Sequence, residues 1–258
     1  SYYLLEDALK TETPKVVVFS VLALKYGVPQ SEPYNRLNLD GMRLGTAKLG
    51  AIRASMTEGE DFISYLFPLL RYHDRIAELT SEDFAYWFKN SDPVSFKGYL
   101  LDVRVRPNTG TPAPPPLAEQ EKHLPESSMA WLERMAALCE EHGIALVLVK
   151  SPSIDPYWYP EWDADVAAFA KSHGLRYDNM IAENDVFGID MQTDTCDQGQ
   201  HLNVFGAEKL SRGFGAILQA EYDLPDHRGE AAYDADYARL TERYEAEKQR
   251  QLSEENGQ

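Results

Sequence analysis

Asp197 and His201 stand four positions apart in "TCDQGQHLNVFGAEKLSRGFG" (residues 195–215), just before an amphipathic run that reads as a helix. A histidine placed before the last helix of an α/β chain can act as a general base, while an upstream carboxylate orients the ring and stabilises the imidazolium. Local spacing alone equally allows a plainer arrangement, with Asp197 capping a turn and His201 capping a helix that begins near Asn203.

A base needs a group to deprotonate. Ser20 lies inside an apolar strand run, without the sharp glycine turn that exposes a nucleophile, and is read as a core serine. Ser151 and Ser153 follow the strand "IALVLVK", and open α/β sheets place ligands at the C-terminal ends of their strands. These two serines are expected to shape a loop or touch substrate rather than attack it, with Lys150 adding charge near the mouth; ordinary loop residues are the alternative. Tyr72, His73 and Arg75 in "RYHDR" would form a polar wall of the cleft, although Arg75 beside Asp74 or Glu78 also reads as a plain surface pair. The six histidines, His73, His123, His142, His173, His201 and His227, follow no metal-ligand spacing, and no glycine loop cradles a phosphate. No metal and no cofactor are expected.

The elements that must position these residues can be read from periodicity. "SYYLLEDALK" is helical, and "TPKVVVFSVLAL" predicts a buried parallel strand over residues 15–22. Residues 40–90 read as a helical insertion, and the Pro-rich stretch at 105–125 as a surface excursion that covers a site or lies loose. "ESSMAWLERMAALCEEHG" and "EWDADVAAFAKSHG" are helices closed by glycine, and each runs into a strand, at 144–150 and 175–178. Helix, glycine, strand, repeated, predicts an α/β sheet. Residues 204–221 form a sheet-packing helix. The charged helix at 226–258 carries Tyr233, Tyr237, Leu240 and Tyr244 as a stripe that docks on its own domain or on a partner chain, so a homodimer is open.

Composition excludes some function classes. The 258 residues are 43% hydrophobic and 26% charged, enough for a sizeable core, and the apolar runs are too short to span a bilayer. A net charge of −17, from 42 acidic against 25 basic residues, is repelled by a phosphate backbone and argues against nucleic acid as a partner. Cys139 and Cys196 are too few for a disulfide framework, and two free thiols are expected, with one disulfide between them as the alternative.

"DQGQHLNVFGAEKLS" resembles the last block of the SGNH (GDSL-type) hydrolase superfamily, in its bacterial envelope branch related to the DltD protein. "SYYLLEDALKTETPKVVVFSV", "FPLLRYHDRIAELTSEDF" with "FKGY", and "VKSPSIDPYWYPEW" resemble further segments of such proteins in the same order, so the likeness covers most of residues 1–220. It departs from the family in two places. The family's final block is D-x-x-H, whereas Asp197 lies four residues before His201 and Gln198 takes the usual acid position. The Gly-x-Ser nucleophile block would lie upstream of Ser1.

The resemblance implies a three-layer, flavodoxin-like parallel sheet over residues 1–225, with the helical insertion and without its N-terminal strands, so that the 15–22 strand becomes an edge. It implies a serine esterase or acyltransferase with Asp197 and His201 as catalytic residues, acting on a cell-envelope polysaccharide or teichoic-acid-like polymer and inactive in this chain for want of its serine. It further implies an extracytoplasmic setting, an anchor upstream and a membrane-bound acyltransferase as partner. The rival expectation is a non-catalytic carbohydrate-binding or assembly module of the envelope.

Overall fold

The computed structural model describes residues 1–67, 80–81, 96, 98–110 and 114–257. Tyr72, His73 and Arg75 lie outside them. The chain divides into two compact units: Ser1–Pro14, Tyr26–Pro93 and Pro125–His142 form the first, and Lys15–Lys25, Val94–Leu124 and Gly143–Gln258 the second.

The first unit is helical throughout its described part: α1 (Tyr2–Ala8), α2 (Glu32–Leu39), α3 (Thr46–Ser55), α4 (Phe62–Leu66) and α5 (Glu126–Glu141). Its core gathers Leu39, Met42, Ala47, Ala51, Ile52 and Tyr65, with Tyr3 of α1 packed against it. Tyr2 and Tyr3 also meet the ring of Trp131 on α5, at centroid distances of 5.6 Å each. Edge and tilted contacts of this kind add to the area they bury and hold α1 to α5.

The second unit carries the sheet: β1 (Val16–Ser20), β2 (Ala145–Lys150) and β3 (Arg176–Asn179), all parallel, in the order β1-β2-β3. Its helices are α6 (Pro160–His173), α7 (Asn184–Phe187), α8 (Val204–Tyr222) and α9 (Ala231–Asn256). β2, flanked on both sides, is buried at every residue after Ala145. Strand alternation sorts the two faces. Val147 and Val149 enter a core with Leu210, Phe214, Ile217 and Leu218 of α8. On the opposite face, Tyr177 and Asn179 of β3 both donate to Asp163 of α6. Lys150 is in register with Asn179 and therefore points to the α6 face.

The expected strand at 15–22 is shorter than its apolar run. It ends at Ser20, and Val21–Lys25 turns into a 3₁₀ helix that buries Val21 and Leu24, three residues apart as that helix requires. Ser20 is exposed rather than a core serine, because among the described residues β1 pairs with β2 alone and ends at the margin of the sheet. The backbone N–H of Ala145 donates to Lys15 O, so Lys15, Val17 and Phe19 turn their peptide groups toward β2, while Val16, Val18 and Ser20 turn theirs to the side away from β2. Val18 is 44% exposed on that edge.

α5 and α6 stop where their glycines were read as stops, with Gly143 and Gly174 at φ 67° and 63°. The aromatic stripe of α9 is unevenly covered, with Leu240 half-buried. Tyr244 packs on Phe96 and its hydroxyl donates to Glu208 of α8, whereas Tyr233 and Tyr237 stay exposed. Cys139 and Cys196 are free thiols, both buried. Among the described residues no helix is long and apolar enough to cross a membrane.

Candidate functional site

The segment between β3 and α8 folds back on itself through a one-pair antiparallel bridge, Thr195 to Leu202, closing a tight loop over residues 196–201. Within it the imidazole Nδ1 of His201 lies 2.6 Å from Oδ2 of Asp197, and the backbone N–H of His201 donates to Oδ1 of the same carboxylate at 2.7 Å. An ionised carboxylate only accepts, so Nδ1 carries the proton and the neutral ring keeps its lone pair on Nε2. The His201 side chain is 76% exposed, which leaves Nε2 open to an incoming group.

The four-residue spacing works because the extra residue is taken up in left-handed backbone. Gln198 and Gly199 sit at φ 66° and 103°. Glycine is required at 199 on two counts: its φ is open chiefly to glycine, and a Cβ there would come within 2.4 Å of Ile154 Cγ1. Gln198, at the usual acid position of the resembled block, uses its backbone instead: its N–H donates to Arg106 O and its carbonyl accepts from Asn108 Nδ2 at 2.6 Å.

Three further residues hold the loop. Thr195 Oγ1 donates to His201 O at 3.0 Å and accepts from Gly199 N at 2.7 Å. Asn203 is the N-cap of α8, where Oδ1 accepts from the N–H groups of Phe205 and Gly206 and Nδ2 donates to Arg104 O and Thr193 O. His201 is therefore not the cap. Asp194, buried, accepts from Asp190 N and Lys209 Nζ through Oδ2, and its carbonyl would lie 2.6 Å from a Cβ at Gly206. Of these, only the start of a helix near Asn203 left a signal in the sequence; Thr195, Asp194 and Asn108 sit in polar loops with no periodicity to mark them. The beginning of the Pro-rich excursion is not loose: Arg106 N donates to Thr195 O and Asn108 N to Met191 O, laying residues 106–108 along the loop.

The loop leaving the C-terminal end of β2 meets the same turn. Ile154 N donates to Gly199 O at 2.8 Å, which places the Asp197–His201 loop beside the end of the central strand. Ser151 is partly exposed there, and Ser153 is buried. Lys150 is fully buried, 0% exposed, and its Nζ donates to Ser151 O (2.8 Å), Ser153 O (3.0 Å) and Ser153 Oγ (2.9 Å). No carboxylate among the described residues pairs with it. Burial, helped by the nearby Lys25 ammonium, pushes the Lys150 amine down to about 8.

That depression has a consequence for stability. The unfolded chain keeps the lysine proton up to its ordinary value of 10.5, whereas the folded chain releases it near 8. Between those values the unfolded state binds more protons, so stability rises with pH, by about 3 kcal/mol for this one group across the window. Tyr65 and Tyr99, pushed up by burial to about 12, act in the opposite sense above pH 10. Lys150→Met removes only the lysine contribution, so the stability of wild type relative to the variant is expected to rise from pH 7.5 to 9.5. Parallel profiles would show that the amine titrates normally.

Among the described residues no cluster of three or more His, Cys, Asp or Glu side chains is gathered to hold a metal ion. Nor does any Ser, Thr or Cys side chain among them hydrogen-bond to the ring of His201. Compared with known proteins, the chain matches no family model, no curated protein and no solved structure.

Proposed function

We propose that the chain is an SGNH-like α/β domain whose Asp197–His201 pair serves acyl-ester hydrolysis or transfer on a cell-envelope polysaccharide or teichoic-acid-like polymer. One observation carries this reading: a carboxylate occupies Nδ1 of an exposed histidine and leaves Nε2 free, beside the C-terminal end of a central parallel strand. In that chemistry His201 takes the proton of a serine hydroxyl as it attacks the ester carbonyl, and returns it to the leaving alcohol; Asp197 holds the ring and stabilises the imidazolium. No cofactor enters. The serine would stand on a Gly-x-Ser turn outside these residues, and an extracytoplasmic, membrane-anchored setting with a membrane-bound acyltransferase as partner belongs to the same proposal.

A second reading, a non-catalytic carbohydrate-binding or assembly module, is favoured by the lack of a described side-chain nucleophile at the His201 ring. Hydrolysis of p-nitrophenyl acetate by the 258-residue chain and by the whole gene product separates them. The esterase reading expects negligible turnover by the chain and clear turnover by a gene product carrying a Gly–Ser block. A whole gene product with neither block nor turnover leaves the module. Turnover by the chain alone that disappears in Ser20→Ala or Ser151→Ala would place the nucleophile inside it and overturn the assignment made above.

A further inference from the structure

We propose that Lys150 is a positioning residue for the Asp197–His201 pair, acting through the loop that it clamps at the end of β2. The inference deepens the reading of that pair as a functional one and rests on it.

The links form a continuous series of contacts. Lys150 Nζ holds both carbonyls and the hydroxyl of the Ser151–Ser153 turn. The next two residues, Ile154 and Asp155, turn their N–H groups onto Gly199 O at 2.8 and 3.4 Å. The Ile154 side chain also closes over Gly199, where a Cβ would find it at 2.4 Å. Gly199 N donates to Thr195 Oγ1, and the same hydroxyl donates to His201 O. Gly199 lies midway between Asp197 and His201, so the clamp acts at the centre of the turn that closes the acid on the base.

A buried ammonium with no counter-charge among the described residues is an expensive way to hold a loop, since its desolvation is compensated chiefly by three hydrogen bonds. Ser153 is 5% exposed, so its hydroxyl is a ligand of the clamp and is not placed to attack substrate. The clamp also survives loss of the charge. A neutral amine keeps two hydrogens for the two carbonyls, and its lone pair accepts the Ser153 hydroxyl proton. Among the described residues the other charged group that acts on Lys150 is Lys25, and the Trp158 ring lies 5.9 Å from Nζ. The pair is therefore expected to ignore the titration of Lys150 and to respond to its removal.

The readout is the tautomer of neutral His201, followed by the ¹⁵N shifts of the imidazole, which needs no catalysis. Wild type is expected to hold the Nδ1–H form as the majority from neutral pH to pH 9.5. Lys150→Met should shift the population toward Nε2–H, while a general loss of stability would lower the unfolding midpoint and leave the tautomer of the folded fraction unchanged. Ile154→Ala removes the side chain that closes over Gly199 while keeping the backbone bond to Gly199 O, and should shift the tautomer in the same direction, to a smaller extent, if Lys150→Met does not fold. Unchanged Nδ1–H in a folded Lys150→Met, or in Ile154→Ala where that variant is the only one that folds, overturns the proposal. A tautomer that moves in a gene product without ester turnover keeps Lys150 as a positioning residue and removes the esterase reading; turnover with an unmoved tautomer does the reverse.

Discussion

On the serine–histidine–acid chemistry proposed above, Asp197→Asn is expected to lower ester turnover roughly 10³–10⁴-fold, as loss of the orienting acid does in such a system. The geometry states why the effect should be so large for so small a change. Oδ1 of Asp197 accepts the His201 backbone N–H, and an asparagine oxygen retains that bond. The amide NH₂ then faces Nδ1, where Oδ2 now lies at 2.6 Å. An NH₂ donates, so Nδ1 must present its lone pair and the proton moves to Nε2, the atom that receives the serine proton in the proposed reaction. The fold stays and the base is lost. His201→Ala should give a comparable loss, because both changes remove the same proton acceptor and such effects do not add. Steady-state kinetics on a short acyl ester, with the tautomer read on the same samples, checks both. A loss below about tenfold in Asp197→Asn would mean that another group takes the serine proton.

The second large effect falls on stability. Asn203→Ala is expected to destabilise the sheet-bearing unit by about 3–5 kcal/mol, from the lost helix cap together with two carbonyls deprived of their donors. Asn203 is 0% exposed, and water cannot replace what its side chain gives up. It accepts from the first turn of α8 with Oδ1 and ties Arg104 O and Thr193 O with Nδ2, so three separate stretches of chain meet on one amide. Asn203→Asp separates the two functions, since the carboxylate still caps the helix but cannot donate. It should lose the part due to the two carbonyls and leave them facing a charge. Hydrogen exchange of the buried β2 amides reports the unit's stability, and a cost for Asn203→Ala under about 1 kcal/mol would show that the loop finds other donors when the amide is gone.

Much of the framework was legible because it is local. The valine-rich run read as a strand at 15–22, the glycine stops at 143 and 174, and the strands that follow them are set by side-chain size and backbone freedom within a few residues. The parallel order of those strands follows from the helices between them. Residues 204–221 were legible as a helix by their periodicity, with a start near Asn203, although the cap is Asn203 itself and not His201. The limits of β1 were less clear, since Val21 and Leu24 suit a strand or a 3₁₀ turn equally well by composition; only packing at that corner selects the turn.

The sequence by itself therefore determined the kinds of element, most of their ends, and that an acid and a histidine stand close together ahead of the last sheet-packing helix. It did not determine that they touch. A spacing of four brings two side chains together on a helix, but residues 197–201 are a loop, where the direction of each side chain depends on two left-handed residues that Ile154, Arg106 and Asn108 hold in place. Those residues come from distant parts of the chain and meet only after the sheet has formed. The same holds for Lys150. Its sequence context predicts a charged residue at a strand end, near solvent, whereas tertiary packing closes over it and turns its ammonium onto the neighbouring turn. Strand and helix type are decided by short-range sterics and periodicity, while a site's geometry is decided by long-range hydrogen bonds whose partners no local pattern names.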